Sequence, residues 1–169
     1  TSAIAVPAYN GIPVTHRDFC SSVHIVTAHR RGDGPLDIDF DALCRTGGTL
    51  VFLMGVSALG DVCGGLLAAG MAPETPAAVL HRGTSARQKR VVSTLARLPA
   101  DAAAMEAPSI IVVGPVCALA ETFAWAEKRP LFGRRYVVTR PRERASALSR
   151  RLRELGGEVV ELPTICLRP

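Results

Sequence analysis

The sequence lacks the features that mark several common classes of protein. It has no run of 18 uncharged apolar residues, which excludes a helix that crosses a membrane. It has no Cys-x-x-Cys pair, its five cysteines are widely spaced, and its four histidines do not fall at metal-ligand spacings. We therefore predict neither a disulfide framework nor a metal site, and expect small buried thiols in a reducing cytoplasm.

Aromatic residues are also scarce, at 5% of the chain. Proteins that bind single-stranded nucleic acid combine basic groups with aromatic side chains on which bases stack. The most basic part of this chain, residues 128–169, contains only Phe132 and Tyr136 as aromatic residues. We predict no nucleic-acid partner, and no stretch resembles a glycine-rich phosphate-binding loop.

The two ends of the sequence suggest an internal segment of a longer protein. The chain begins with Thr1, and residues 1–9 lack the basic stretch and apolar run of a secretory signal. Residues 159–163 are typical of a strand that leads into further structure.

The chain has a sizeable apolar fraction and an uneven charge. Of its 169 residues, 48% are apolar, which is enough to bury the core of one domain or two small ones. Residues 1–127 carry 9 basic and 11 acidic side chains, a net of −2, whereas residues 128–169 carry 11 and 4, a net of +7. We therefore predict two joined pieces, at 1–127 and 136–169, with a linker at 128–135.

Buried strands alternate with helices along the first piece. Apolar and β-branched runs predict strands at residues 23–28, 49–54, 76–80, 89–95 and 109–113. Helices are predicted at residues 1–10, 39–45, 57–69, 99–106 and 116–126. This alternation predicts an α/β fold with a mostly parallel or mixed sheet. The pattern of the second piece predicts one βαβ unit. Its parallel strands are expected at residues 136–139 and 158–162, and its helix at residues 143–155.

Ligands of open α/β sheets bind where strands end, and two such places stand out. Met54 and Gly55 follow one predicted strand, where a thioether could pack against a ligand and a glycine could admit one. Gly83 follows another and permits a positive φ, with Thr84 beside it as a group for an anion or a ribose hydroxyl. The alternatives are a core methionine before a turn, and an ordinary turn.

Two further places carry basic groups suited to carboxylates. Thr15, His16 and Arg17 are consecutive in a predicted loop, and arginine pairs with carboxylates through two hydrogen bonds. A solvated loop with a capping threonine is the alternative. Arg140 follows a strand, and the arginines of the next helix form either its solvated face or a surface for an acidic partner.

The order of these segments resembles a known family. The segments TSAIAVPAYNGIPVTHRD, SSVHIVTAH, GGTLVFLMG, TPAAVLHRGT and SIIVVGPV are similar to the C-terminal half of the uroporphyrinogen-III C-methyltransferases, in the tetrapyrrole methylase family. The segment FGRRYVVTRPRERASALSRRLRELGGEVVELPTI is similar to the start of the uroporphyrinogen-III synthase family. The resemblance thus implies the C-terminal α/β domain of a methylase fused to a truncated synthase domain.

The methylase resemblance implies both an activity and a set of residues. Such enzymes transfer methyl groups from S-adenosylmethionine to carbons 2 and 7 of uroporphyrinogen III, giving precorrin-2 for sirohaem and cobalamin synthesis. The family's cofactor-binding positions match Thr1, Ser2, Met54 and Gly83, and its substrate loop matches His16 and Arg17. It also implies a cytoplasmic homodimer formed through the methylase part.

The resemblance also implies what this segment cannot do alone. The family's N-terminal domain supplies a glycine-rich cofactor loop and a Gly-Gly-Asp motif that are absent here. We expect no methylation by the segment alone, and no catalytic residue is assigned. In the synthase part, Thr139 and Arg140 are expected at the rim of the substrate cleft. The alternative function is a non-catalytic α/β module that binds an acidic partner through the arginine-rich helix.

Overall fold

A computed structural model describes residues 2–29, 34–140 and 142–164, without the side chains of residues 142–146. The chain divides into two compact units. The first contains Thr1–Thr84 and Gln88–Phe123, and the second contains Ser85–Arg87 and Ala124–Pro169. Within the described residues, no helix has the length and apolar character needed to cross a membrane.

The first unit is built on a five-stranded sheet in the order β1-β2-β5-β3-β4. Its strands are β1 (Val23–Thr27), β2 (Thr49–Leu53), β3 (Pro76–His81), β4 (Lys89–Thr94) and β5 (Ser109–Val113). The β1–β2 pair is parallel, and the β2–β5, β5–β3 and β3–β4 pairs are antiparallel. The prediction of an α/β fold with a mixed sheet is confirmed, and the alternative of a mostly parallel sheet does not apply.

The sequence left both alternatives open for a physical reason. The apolar runs show that the strands are buried but do not show which way each one runs. A short turn joins β3 to β4 as a hairpin, and β5 then enters between β2 and β3 in the opposite direction. As a result β1, β2 and β3 all run the same way and end at one edge of the sheet.

Helices cover both faces of this sheet. They are α1 (Ser2–Tyr9), α2 (Phe40–Thr46), α3 (Leu59–Ala68) and α4 (Leu98–Asp101), with short 3-10 helices at Val56–Ala58 and Pro115–Leu119. Alternate strand residues point to opposite faces. Val51 and Val112 pack in a core with Ala3 of α1, whereas Phe52 packs in a core with Leu66 of α3.

Two predicted helices are much shorter than expected. The helix predicted at 99–106 is observed only as α4. In place of the helix predicted at 116–126, the structure has the 3-10 helix Pro115–Leu119 followed by turns. Neither has a side chain that caps its N-terminus. By contrast, Asp39 Oδ1 accepts a hydrogen bond of 2.8 Å from the Ala42 backbone N–H at the start of α2. The ten-residue α3 also lacks a side-chain cap, but it buries Leu59, Val62, Cys63 and Leu66, whereas α4 buries only Leu98. Packing of an apolar face, rather than alanine content, therefore sets the length of these helices.

Alanine substitutions at two adjacent glycines of α3 should have opposite effects on stability. A Cβ on Gly65 would lie 2.4 Å from Cε2 of Phe40, whereas a Cβ on Gly64 would meet nothing within 4 Å. We expect Gly65→Ala to lower the free energy of unfolding by about 1–3 kcal/mol through overpacking. Gly64→Ala should raise it by about 0.5–1 kcal/mol, because alanine is the better helix former. Urea denaturation of the two variants checks this pair, and equal effects would contradict the α2–α3 packing.

The second unit contains a parallel strand pair with a helix between the strands. Its elements are β6 (Arg135–Val138), α5 (Arg142–Glu154) and β7 (Glu158–Glu161). Residues 124–134 belong to the same unit and form turns. The Leu131 N–H donates a hydrogen bond of 2.9 Å to the carbonyl of Leu155, just after α5. Arg129 also lies over the Trp125 ring, 4.4 Å from its centroid.

Candidate functional site

A pocket of about 590 Å³ lies at the edge of the sheet where β2 and β3 end. Most of its lining is apolar, and the polar groups are few. The lining residues are Ser2, Val6, Leu53, Met54, Val56, Ser57, Leu80, Arg82, Gly83, Ala107, Pro108, Ser109 and Ile110. The structure therefore brings together three residues selected from the sequence, namely Ser2, Met54 and Gly83. Thr1 lies outside the described residues.

Met54 is held in a strained conformation at this pocket. It directly follows β2, its φ is +56°, and its side chain is 59% exposed. A left-handed backbone costs a non-glycine residue roughly 1–2 kcal/mol, and such strain clusters at functional sites. The alternative of a core methionine is wrong, because Met54 is largely exposed and lines the pocket.

Gly55 has a different role from the one expected. It is buried with φ −96°, and a Cβ there would lie 3.1 Å from both Ala28 Cβ and Ile111 Cδ1. The small residue is thus needed for packing at the end of β2, and the expectation that it admits a ligand is corrected.

Gly83 lines the pocket for a reason that the sequence did not show. It has no positive φ, and that conformation belongs instead to its neighbours Arg82 (φ +46°) and Thr84 (φ +72°). A Cβ on Gly83 would lie 2.3 Å from Val6 Cγ1. The residue is therefore glycine because α1 packs directly against the end of β3.

Gln88 holds this strained turn in place, and sequence reasoning missed it. It is 6% exposed, and its Oε1 accepts from the Thr84 N–H at 3.1 Å. Its Nε2 donates to the Tyr9 carbonyl at 3.0 Å. One amide side chain thus joins the turn after β3 to the C-terminal end of α1. No local pattern marks such a residue, because its two partners are brought together only by the fold.

The ends of β3 and β5 are also joined at the pocket. His81 and Ser109 are register partners, and His81 Nδ1 lies 3.1 Å from Ser109 Oγ and 3.0 Å from the Glu106 carbonyl oxygen. The Arg82 N–H donates to the Pro108 carbonyl at 3.0 Å. These bonds fix the backbone of Arg82 beside β5.

His16 and Arg17 lie at the opposite edge of the sheet from the pocket. His16 forms a backbone bridge with Cys20, whose Sγ is 3.0 Å from Oγ1 of Thr49, the first residue of β2. Met54 follows the other end of that strand, roughly 16 Å away at the usual rise of a β-strand. The His16 ring centroid lies 5.3 Å from that of Phe19, and Arg17 is exposed. The structure therefore does not bring this pair to the pocket.

Thr139 and Arg140 belong to the second unit. They directly follow β6, and both are exposed. The Thr139 carbonyl accepts from the Thr164 N–H at 3.3 Å.

Cys44, Cys63 and Cys117 are free thiols with little reactivity. Burial raises the pKa of Cys63 to about 11, and it also raises the pKa of Cys117. Burial and then the nearby Asp41 carboxylate raise the pKa of Cys44. Such thiols stay protonated at neutral pH and are poor nucleophiles. Within the part of the chain that the structure describes, no three His, Cys, Asp or Glu side chains group in a way that could hold a metal ion.

Comparison with known proteins gives a consistent assignment. The family model for Tetrapyrrole (Corrin/Porphyrin) Methylases matches residues 1–99. The chain is 49% identical over its whole length to the porphyrin biosynthesis protein HemD of Ruminiclostridium josui. It is 39% identical over 96% of its length to the uroporphyrinogen-III C-methyltransferase of Bacillus subtilis (strain 168). In both cases it spans 34% of the relative's length.

Solved structures resemble about two thirds of the chain. The uroporphyrin-III C-methyl transferase from Thermus thermophilus, complexed with S-adenyl homocysteine, matches 67% of this chain and 50% of that chain. The TM-score is 0.58 at 26% identity. The cobalt precorrin-4 methyltransferase CbiF has a TM-score of 0.61 over 69% of this chain, at an identity of 21% that shows the fold alone.

Proposed function

Because this chain belongs to the tetrapyrrole methylase family, we propose that it forms part of an enzyme that methylates uroporphyrinogen III with S-adenosylmethionine. The product is precorrin-2, methylated at carbons 2 and 7, on the route to sirohaem and cobalamin. The chain spans about a third of its curated relatives, so this activity is that of the full-length gene product.

The pocket at the ends of β2 and β3 carries this proposal. Its volume of about 590 Å³ lies within the usual range for small-molecule sites. The apolar lining suits a flat adenine ring, and Ser2 and Ser57 offer hydroxyls to a sugar or an amino-acid group. The residues present therefore fit an adenosyl ligand, with Met54 and Gly83 on its two sides.

The chemistry comes from the donor, and the described residues hold and orient it. S-adenosylmethionine supplies an electrophilic methyl group on its sulfonium. The nucleophile is an electron-rich pyrrole carbon, so the protein's main task is to align carbon, methyl and sulfur. Met54 and Gly83 contribute by fixing the adenosyl part, and Thr1 is proposed beside Ser2 at the same site. No residue of this chain is assigned a proton-transfer role.

His16 and Arg17 are proposed as binders of substrate carboxylates. Uroporphyrinogen III carries eight acetate and propionate groups, and an exposed guanidinium suits them. Since the pair lies at the other edge of the sheet, it belongs to a part of the site distinct from the donor pocket. A cytoplasmic homodimer is part of the same proposal.

For the second unit we propose the start of a uroporphyrinogen-III synthase domain. The relatives from Ruminiclostridium josui and Bacillus subtilis match 100% and 96% of the chain, so their similarity extends into the second unit. Val137 and Val160 are register partners on β6 and β7 and are 59% and 44% exposed. Parallel sheets are normally covered on both faces, which supports a larger α/β domain here. Thr139 and Arg140 are proposed at its substrate cleft.

The alternative of a module that binds an acidic partner through α5 has less support. Arg151 lies 3.2 Å from Glu154, and Arg153 lies 3.2 Å from Glu161. These arginines are therefore paired within the unit, as expected of a solvated helix face.

The direct test is methyl transfer by the full-length gene product. With methyl-labelled S-adenosylmethionine and uroporphyrinogen III, we expect a product that carries two labelled methyl groups. S-adenosylhomocysteine should inhibit by competing with the donor. The proposal is contradicted if no labelled product forms and the protein does not bind S-adenosylhomocysteine.

A further inference from the structure

Arg82 is the one charged side chain among the described residues that line the pocket. Its φ of +46° is rare for a residue with a side chain. The Arg82 N–H donates to the Pro108 carbonyl at 3.0 Å, which ties the strained residue to the start of β5. The backbone thus places a permanent positive charge at the edge of an apolar pocket.

A chain of hydrogen bonds also fixes the guanidinium. Arg82 Nε donates to His81 Nε2 at 3.1 Å. Arginine has no acceptor atom, so His81 Nε2 must accept, and the neutral imidazole then carries its proton on Nδ1. That nitrogen lies 3.0 Å from the Glu106 carbonyl oxygen, which can only accept. Nε2 of His81 is therefore the acceptor and Nδ1 the donor in these two hydrogen bonds.

Ser109 completes this arrangement. It is 8% exposed, lies 3.1 Å from His81 Nδ1, and its Oγ donates to the Glu106 carbonyl at 2.5 Å. A surface arginine normally keeps considerable rotamer freedom, which it loses when it binds. Here that freedom is reduced before any ligand arrives, as expected of a preorganised binding group.

We propose that Arg82 binds a carboxylate of the ligand in this pocket, and that His81 and Ser109 position it. Guanidinium and carboxylate match in charge and geometry, and an apolar surrounding strengthens their pairing. The inference rests on the proposed function, which offers two sources of carboxylate. One is the amino-acid part of the methyl donor, and the other is an acetate or propionate arm of the tetrapyrrole.

The experiment measures Arg82→Gln in the full-length gene product. If the carboxylate belongs to the donor, the Kd for S-adenosylhomocysteine rises about tenfold or more. Decarboxylated S-adenosylmethionine, which lacks the group, should then bind wild type and variant alike. If it belongs to the tetrapyrrole, that Kd is unchanged and the KM for uroporphyrinogen III rises about tenfold instead.

The other outcomes count against the inference. No change in either constant overturns it while leaving the proposed function intact. Loss of both affinities together indicates a collapsed pocket and also overturns it. If wild type itself binds no S-adenosylhomocysteine, the proposed function fails and the inference fails with it.

Two substitutions of His81 test the positioning role. In His81→Gln, the amide oxygen can occupy the place of Nε2 and still accept from Arg82. His81→Asn can replace only the Nδ1 donor toward the Glu106 carbonyl. We expect His81→Asn to raise the same constant that Arg82→Gln raises, either the Kd for S-adenosylhomocysteine or the KM for uroporphyrinogen III. In His81→Gln that constant should stay within about threefold of wild type. Equal behaviour of the two variants would contradict the positioning role.

Discussion

Gly83→Ala should weaken the binding of S-adenosylhomocysteine by at least about tenfold and destabilise the fold by about 1–3 kcal/mol. The new Cβ would lie 2.3 Å from Val6 Cγ1 and 2.9 Å from Val6 Cβ, so α1 or the end of β3 must move. Both elements line the pocket, and a shift of either changes its shape. Calorimetric titration and thermal unfolding of the full-length gene product measure the two effects.

Two further variants separate the steric cause from a general effect of alanine. A Cβ on Gly60 would have no neighbouring atom within 4 Å, so Gly60→Ala should leave the binding of S-adenosylhomocysteine unchanged. Val6→Ala removes Cγ1, the nearest of the Val6 atoms that the new Cβ of Gly83→Ala would meet, so the double variant should recover part of the lost stability and affinity. Strict additivity of the two single effects would show that the helix–strand contact is not the cause.

Met54→Gly should move stability and binding in opposite directions. Glycine adopts a φ of +56° without strain, so the free energy of unfolding should rise by about 1 kcal/mol. The loss of the exposed thioether should weaken the binding of S-adenosylhomocysteine by about tenfold. A gain in stability with a loss of affinity is expected where a strained backbone conformation places a side chain against a ligand.

Met54→Leu and Met54→Lys provide the controls. Leucine keeps an apolar side chain at the pocket and should retain most of the affinity. Lysine introduces a charge that an apolar site disfavours, and binding should be lost. If all three variants bind S-adenosylhomocysteine like wild type, Met54 does not contact the donor.

The sequence was sufficient to locate the strands and the edge where the pocket lies. Continuous apolar runs identified β2 and β5, because a strand buried on both faces has no polar positions. The rule that ligands bind at strand ends then selected Met54 and Gly83. The parallel or antiparallel pairing of each strand depends on connections across the sheet, and the local pattern does not contain it.

The details of the site depended on contacts between distant segments. Gly83 is required by a helix about 75 residues earlier in the chain, and Gln88 bonds across a similar separation to Tyr9. His16 and Arg17 resemble a binding loop in sequence, yet only the topology shows that they lie at the other edge of the sheet. Left-handed backbone at Arg82 and Thr84 has no sequence signal, since neither residue type favours it.

A crystal structure of the full-length gene product with S-adenosylhomocysteine would show where the methyl donor binds. We predict that the adenosyl group lies between Met54 and Gly83, in contact with both, in the pocket at the ends of β2 and β3. Density for the ligand beside His16 and Arg17, with the pocket holding only water, would contradict it.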